Sequence, residues 1–208
     1  MRRSFNRRLV VSLIPIFALA AAGCGSTQER TAMTNTNDLG SVFDAHVKHE
    51  FVEHDLDATM RTMTAQPDLL HLPTLAGGRG ADQVRGFYGT YFVGKWPADT
   101  KVEQVSRTVG HEQVVDELLV SFTHDIRLDF MLPGVPPTGK HVEMPVVVVM
   151  KFSGGKIAYE HIYWDQASLL VQVGLLDPKL LPSIGVEQAK ALRDPSFPLN
   201  PFLKLPKP

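Results

Sequence analysis

The chain has 208 residues and a formal net charge of −1, from 21 lysines and arginines against 22 aspartates and glutamates. No basic cluster supplies the footprint that a phosphate backbone needs, so nucleic acid is excluded as an expected partner. A single cysteine rules out an intramolecular disulfide, which leaves the hydrophobic core to hold the fold.

The opening Met-Arg-Arg-Ser-Phe-Asn-Arg-Arg carries four arginines and no acid, and Leu9 to Ala22 follows as an apolar run broken only by Ser12 and Pro15. That run falls short of the roughly 20 apolar residues a membrane-crossing helix needs, and it reads as a secretory signal over residues 1–23. Ala21-Ala22-Gly23 brings small residues up to the lone Cys24, the pattern of a lipobox. Its thiol is expected to take a diacylglyceryl group and become the first residue of the mature chain, anchoring the protein to a membrane of the bacterial cell envelope. An ordinary cleaved signal with an incidental cysteine is the alternative, and Arg2-Arg3-Ser4-Phe5 also resembles a twin-arginine export pattern, which leaves the export route open. Residues 24–38 are polar and aperiodic and read as a tether.

One domain is expected over residues 39–177, followed by a proline-rich tail at 178–208 with room for one short helix near Val186 to Leu192. Ser41 is a plausible cap for a first helix with Val42, Ala45, Phe51 and Val52 on its apolar stripe. A second short helix runs from Asp57 to Met63, and Pro67-Asp68 ends it before an extended Leu69 to Leu72. Gly77-Gly78-Arg79-Gly80 turns into a third helix carrying Val84, Phe87, Tyr88, Tyr91 and Phe92. Val102 to Val109 and Val114 to Ile126 then read as one hairpin, and Val142 to Phe152 with Ile157 to Trp164 as a second. The strand holding Val146 to Val149 is apolar on both faces and is therefore central. Helices first and a meander afterwards predict an α+β domain.

The motifs Gly80-x-x-x-Val84-Arg85-x-Phe87-Tyr88, Gly155-Lys156-Ile157, Glu160-His161-x-x-Trp164-Asp165 and Val171-Gln172-x-Gly174-Leu175 fall in the order seen in a known family. Over roughly Phe43 to Leu176 the chain resembles the SnoaL-like polyketide cyclases of the nuclear transport factor 2-like superfamily. The resemblance implies a cone-shaped α+β fold, a curved antiparallel sheet with N-terminal helices packed on its concave face around one pocket. It also implies a choice of roles, because the fold hosts cofactor-independent cyclases and isomerases as well as proteins that bind without catalysis, and homodimers are common in it.

Candidate site residues follow from the final strand. Alternation places Tyr159, His161, Tyr163 and Asp165 on one face and Glu160, Ile162 and Trp164 on the other. In the cyclases that this chain resembles, an Asp after a Trp in the last strand acts as acid or base, and Asp165 matches it. His161 is the expected proton relay, with Tyr159, Tyr163 and Trp164 contacting a small apolar substrate; His124, at the end of an earlier strand, is a further catalytic candidate. The residues permit a plainer reading as well, in which Asp165 caps the next helix and the histidines are hydrogen-bonded structural groups. His49 and Glu53, four apart, match neither common zinc motif, so no metal is expected, and no cofactor either. His54-Asp55 at the helix junction is left unassigned. Gly78-x-Gly80 lacks the third glycine of a nucleotide loop, and no Gly-x-Ser-x-Gly elbow is present.

Overall fold

Alternation of buried and less buried residues with period two runs through most of residues 113–123, 141–153 and 156–164, and it fixes which face of the sheet is buried. The computed structural model describes residues 38–199, 201 and 202. The signal, the lipobox with Cys24 and nearly all of the tether lie outside the described residues. Helix α1 (Leu39–Phe51) and helix α2 (Leu56–Arg61) precede strand β1 (Met63–His71) and strand β2 (Ala76–Arg79). Helix α3 (Ala81–Phe87) continues into a π-helical turn (Tyr88–Phe92). Strands β3 (Lys101–Val109), β4 (Gln113–Thr123), β5 (His141–Ser153) and β6 (Lys156–Trp164) then form the meander, followed by helices α4 (Gln166–Gln172) and α5 (Glu187–Arg193).

The six strands form one sheet in the order β2-β1-β6-β5-β4-β3. The doubly apolar strand β5 is central, as its composition requires, between β4 and β6. All neighbours are antiparallel except β1, which lies parallel to β6 and pairs with β2 in a hairpin. Hydrophobic pattern specifies which face of a strand is buried but not the direction of its neighbour, so this pairing was not readable in advance. Pro67 does not stop the chain before β1; it lies inside the strand, in the register shift between Met63 and Asp68, where a ladder donor is dispensable. Further shifts between Gln104 and Ser106 and between Lys151 and Phe152 are bulges, which bend the strands.

Val114, Val120 and Phe122 of β4 and Val142, Met144 and Met150 of β5 are buried on the inner face. Against them packs α1, whose cap is Asp38 rather than Ser41: its carboxylate accepts from Gly40 N at 3.1 Å and from Ser41 Oγ at 2.8 Å. The inward stripe of α1 is also rotated from the expected one. Phe43, His46 and Glu50 are buried, while Val52 is exposed. A histidine and a glutamate thus occupy core positions of the helix.

The proline-rich C-terminal segment folds back. Ala189 of α5 is buried, Ser168 Oγ donates to Gly185 O at 3.0 Å, and Arg193 pairs with Glu103 and Glu143 on the sheet. Among the described residues no helix is long and apolar enough to cross a membrane.

Candidate functional site

Between α1, the segment after the π-turn and the inner face of the sheet lies a hollow of about 60 Å³. Its wall is largely apolar, with Phe51, Phe92, Trp96, Phe130 and Trp164 among aliphatic side chains, and it carries three ionisable side chains: Glu50, His71 and Glu160. The hollow adjoins a wider, more polar vestibule of about 550 Å³, and Glu50 and Trp96 line both.

Each ionisable group reaches the wall for a local reason. Glu50 sits one helical turn after His46 on the buried stripe of α1. Glu160 alternates inward with Ile162 and Trp164 on β6. His71 ends β1, where its ring packs among Phe87, Phe92, Phe130 and Trp164 at centroid distances of 5.2, 5.5, 5.2 and 5.8 Å. Tyr88 enters from the first position of the π-turn, a distortion that re-aims a side chain at helix level.

His46, Glu50, Tyr88 and Glu160 form one network that runs back from the wall. Thr62 Oγ donates to Thr59 O at 2.6 Å, so it accepts from His46 Nδ1, also 2.6 Å away. Tyr88 donates to Glu160 Oε2 at 2.7 Å, leaving its oxygen to accept from His46 Nε2 at 3.1 Å. His46 Nε2 also lies 3.1 Å from Glu50 Oε1 and 3.5 Å from Glu160 Oε2. Glu50 Oε1 is buried and has no aligned hydrogen-bond partner.

The charges follow from burial and proximity. Burial alone would strip His46 of its proton, but the two carboxylates beside it prevail and lift its pKa from 6.5 to about 10. Burial works against the Glu160 anion, yet hydrogen bonds from His46 and Tyr88 hold it below the usual glutamate range. For Glu50, burial and the Glu160 charge outweigh the attraction of His46 and raise the pKa. His71 has no such charge partner strong enough: burial depresses it to about 4, against the smaller pull of Glu160 and of its Nδ1 bond to Ala76 O at 3.2 Å. That bond places the proton on Nδ1 and leaves a lone pair on Nε2. The wall of the hollow therefore holds Glu160, backed by the His46 imidazolium, together with Glu50, whose pKa burial raises, and His71, whose pKa burial lowers.

These shifts give the stability curve a crest. The folded chain holds the His46 proton to about pH 10 while the unfolded chain releases it near 6.5, so this contribution is complete below 6.5 and is lost as pH rises towards 10. Glu50, also raised, acts in the same sense, its contribution falling as pH rises above 4.5. His71 runs the other way: the unfolded chain takes up a proton near 6.5 and the folded chain only near 4, so stability is lost as pH falls through that interval, with depressed Glu160 adding to it. Urea unfolding measured across this range should peak near pH 6.5, and His71→Phe should flatten the acid limb only.

His46, Glu50 and Glu160 also have ligand atoms within 4.8 Å of one another, close enough to hold a cation. In the described arrangement the His46 proton balances the charge. His49 and Glu53 form a separate surface pair at 2.5 Å, joined by Lys48.

The residues anticipated on β6 lie elsewhere. The alternation is as expected but the faces are exchanged: Tyr159, His161, Tyr163 and Asp165 turn outward, and the wall receives Glu160, Ile162 and Trp164. Asp165 is exposed and caps α4, accepting from Ala167 N at 2.8 Å and Ser168 N at 3.2 Å, with Gln188 donating to its other oxygen at 2.6 Å. His161 stacks on Tyr159 with centroids 4.3 Å apart, and Tyr163 is 43% exposed. His124 is buried beyond the end of β4, with Nδ1 3.1 Å from Thr138 Oγ, and does not line the hollow. Of the six predicted pocket residues the structure brings only Trp164 to the wall. His46, Glu50, His71, Tyr88 and Glu160 were missed; the signal available was the spacing Phe43, His46, Val47, Glu50, a helical core stripe in which two members are ionisable.

An α+β domain with helices on one face of a curved, unclosed sheet, around a largely apolar hollow with ionisable groups on its wall, has the nuclear transport factor 2-like fold. The SnoaL-like domain model matches residues 43–160, and the chain belongs to that family. Solved structures with the same fold include AclR of Streptomyces galilaeus, a proposed hydroxylase, at 21% identity and TM-score 0.50, covering 67% of this chain and 86% of AclR. TsrD of Streptomyces laurentii aligns at 16% identity and TM-score 0.52, covering 68% of this chain and 98% of its own. IdmH of Streptomyces antibioticus, a proposed polyketide cyclase, aligns at 18% identity and TM-score 0.50, covering 65% and 98%. No curated protein matches the chain in sequence.

Proposed function

We propose that this SnoaL-like domain binds a small, largely apolar carbonyl compound in the hollow and moves a proton on it, as a cyclase or isomerase would. The observation that carries this reading is the presence of Glu50 and His71 together on the wall of an otherwise apolar hollow. In water a glutamate and a histidine exchange a proton and become ions. Burial pushes the pKa of Glu50 up and that of His71 down, which favours the neutral form of each.

That pair suits enolisation. His71 Nε2 takes a proton from the carbon beside the carbonyl, the C–H electron pair becomes the carbon–carbon double bond of the enol, and the Glu50 carboxyl protonates the carbonyl oxygen. Returning a proton to a different carbon completes an isomerisation, and attack of the enol carbon on a second carbonyl closes a ring. Glu160, on the wall, meets His46 and Tyr88 behind it, and the three hold the acid end in place. Attachment to the cell envelope through a lipidated Cys24 is part of this proposal and rests on the sequence.

Binding is tested with cyclic ketones of increasing ring size. Trp96 and Trp164 line the hollow, so occupancy should quench tryptophan fluorescence and raise the unfolding temperature. Val148, in the same wall on β5, is 7% exposed. Val148→Phe should fill the hollow, at an overpacking cost of about 1–3 kcal/mol, and abolish both responses while the circular dichroism spectrum is retained. Ketones that bind the filled variant as well as the native chain would place the ligand elsewhere and defeat the reading.

A further inference from the structure

The wall shared by hollow and vestibule is apolar apart from Glu50 and Trp96. Trp96 Nε1 is a buried polar atom without a partner, and Glu50 Oε1, 3.1 Å from His46 Nε2, makes no aligned hydrogen bond. An unpaired buried N–H is costly, about 1–3 kcal/mol, and native structures seldom leave one without a reason. The apolar surroundings do not impose it here. Trp164 lines the same hollow, and its indole N–H donates to Gln166 Oε1 at 2.6 Å.

The Trp96 ring is held in place. Phe51, Phe92, Phe122 and Phe130 pack around it at centroid distances of 5.3, 5.5, 5.7 and 5.3 Å. The backbone on either side is tied down as well, with Lys95 N donating to Phe92 O at 3.0 Å and Thr100 N to Pro97 O at 3.1 Å. A clamped indole gives up little further conformational entropy when a ligand acceptor arrives.

We propose that the Trp96 indole N–H is a ligand-binding donor at the throat between hollow and vestibule, which with Glu50 receives the carbonyl oxygen of a ligand whose apolar part fills the hollow. This inference rests on the reading of the hollow as a ligand site and adds a selection rule to it. A molecule of the right shape without an acceptor oxygen leaves the indole unpaired and binds more weakly. A ligand longer than the hollow extends past Trp96 into the vestibule, where polar substituents meet Asp44, Gln104 and Arg107.

The experiment compares cyclohexanone with methylenecyclohexane, which replaces the carbonyl oxygen by a CH2 group, using ligand-observed NMR titration of the full chain and of Trp96→Phe. The native chain should prefer the ketone by about tenfold or more, the range set by one hydrogen bond to a buried group, and Trp96→Phe should lose most of that preference while still binding the alkene. Equal affinity of the native chain for the two probes, or an undiminished preference in Trp96→Phe, overturns the assignment of Trp96 and leaves the hollow as a ligand site. Failure of both probes to bind the native chain overturns the hollow and the assignment together. Should Trp96→Phe not fold, the native chain decides: cyclohexanone, and not methylenecyclohexane, should shift the indole N–H resonance of Trp96 downfield in a 1H–15N spectrum, and a shift confined to Trp164 would refute the proposal.

Discussion

Glu50→Gln and His71→Phe are each expected to lower enolisation of a bound ketone by about 10²–10⁴-fold, the range ordinarily lost with a positioned acid or base. The readout is solvent-deuterium exchange into the ketone, followed by NMR, which needs no knowledge of the natural product. In Glu50→Gln the side-chain amide can still donate a hydrogen bond but has no proton to give to the oxygen. In His71→Phe the phenyl ring fits the aromatic surroundings of the imidazole, and the lone pair is gone. Asp165→Asn is the contrasting variant: Asp165 is exposed and its oxygens cap α4, so the loss should be about 1 kcal/mol of stability or less, with exchange unchanged. Exchange abolished by Asp165→Asn and untouched by Glu50→Gln would return the chemistry to the outer face of β6. Binding without exchange in the native chain would identify a ligand-binding protein rather than an enzyme.

The contrast between Asp165 and Glu50 also shows what the sequence could and could not disclose. The four meander strands, the central place of β5 and the order of helices and meander were legible because apolar runs encode burial directly, whereas β2 reads as a turn and the first residues of β1 do not read as strand. On β6 the alternation separated two sets of residues correctly, but choosing the inner set required knowing what the sheet packs against. Chemical interest pointed to His161 and Asp165, while the inner set contained an acid, Glu160, flanked by Ile162 and Trp164. On α1 the same preference for apolar residues selected Val42, Ala45 and Val52 and rotated the helix away from Phe43, His46 and Glu50. Ionisable residues are poor markers of a buried face in general, because burying one alone is prohibitive. Here His46, Glu50, Tyr88 and Glu160, drawn from α1, the π-turn and β6, offset one another's burial, and such mutual compensation across distant segments leaves no local trace in sequence.

Mutual compensation makes the network sensitive to removal of one member. Glu160→Leu should destabilise the folded chain by about 3–5 kcal/mol, because it removes one of the two carboxylates beside the buried His46 cation and leaves Tyr88 without its acceptor. With one carboxylate gone His46 holds its proton less tightly, so the fall in stability between pH 6.5 and 10 should shrink in this variant. Removing both charges is a milder change than removing one. His46→Leu combined with Glu160→Leu should therefore cost much less than the sum of the two single losses in a double-mutant cycle, with Glu50, Thr62 and Tyr88 left to re-pair. Urea unfolding at pH 6.5 measures all four proteins, and single losses that simply add would mean that His46 and Glu160 are neighbours without being a pair.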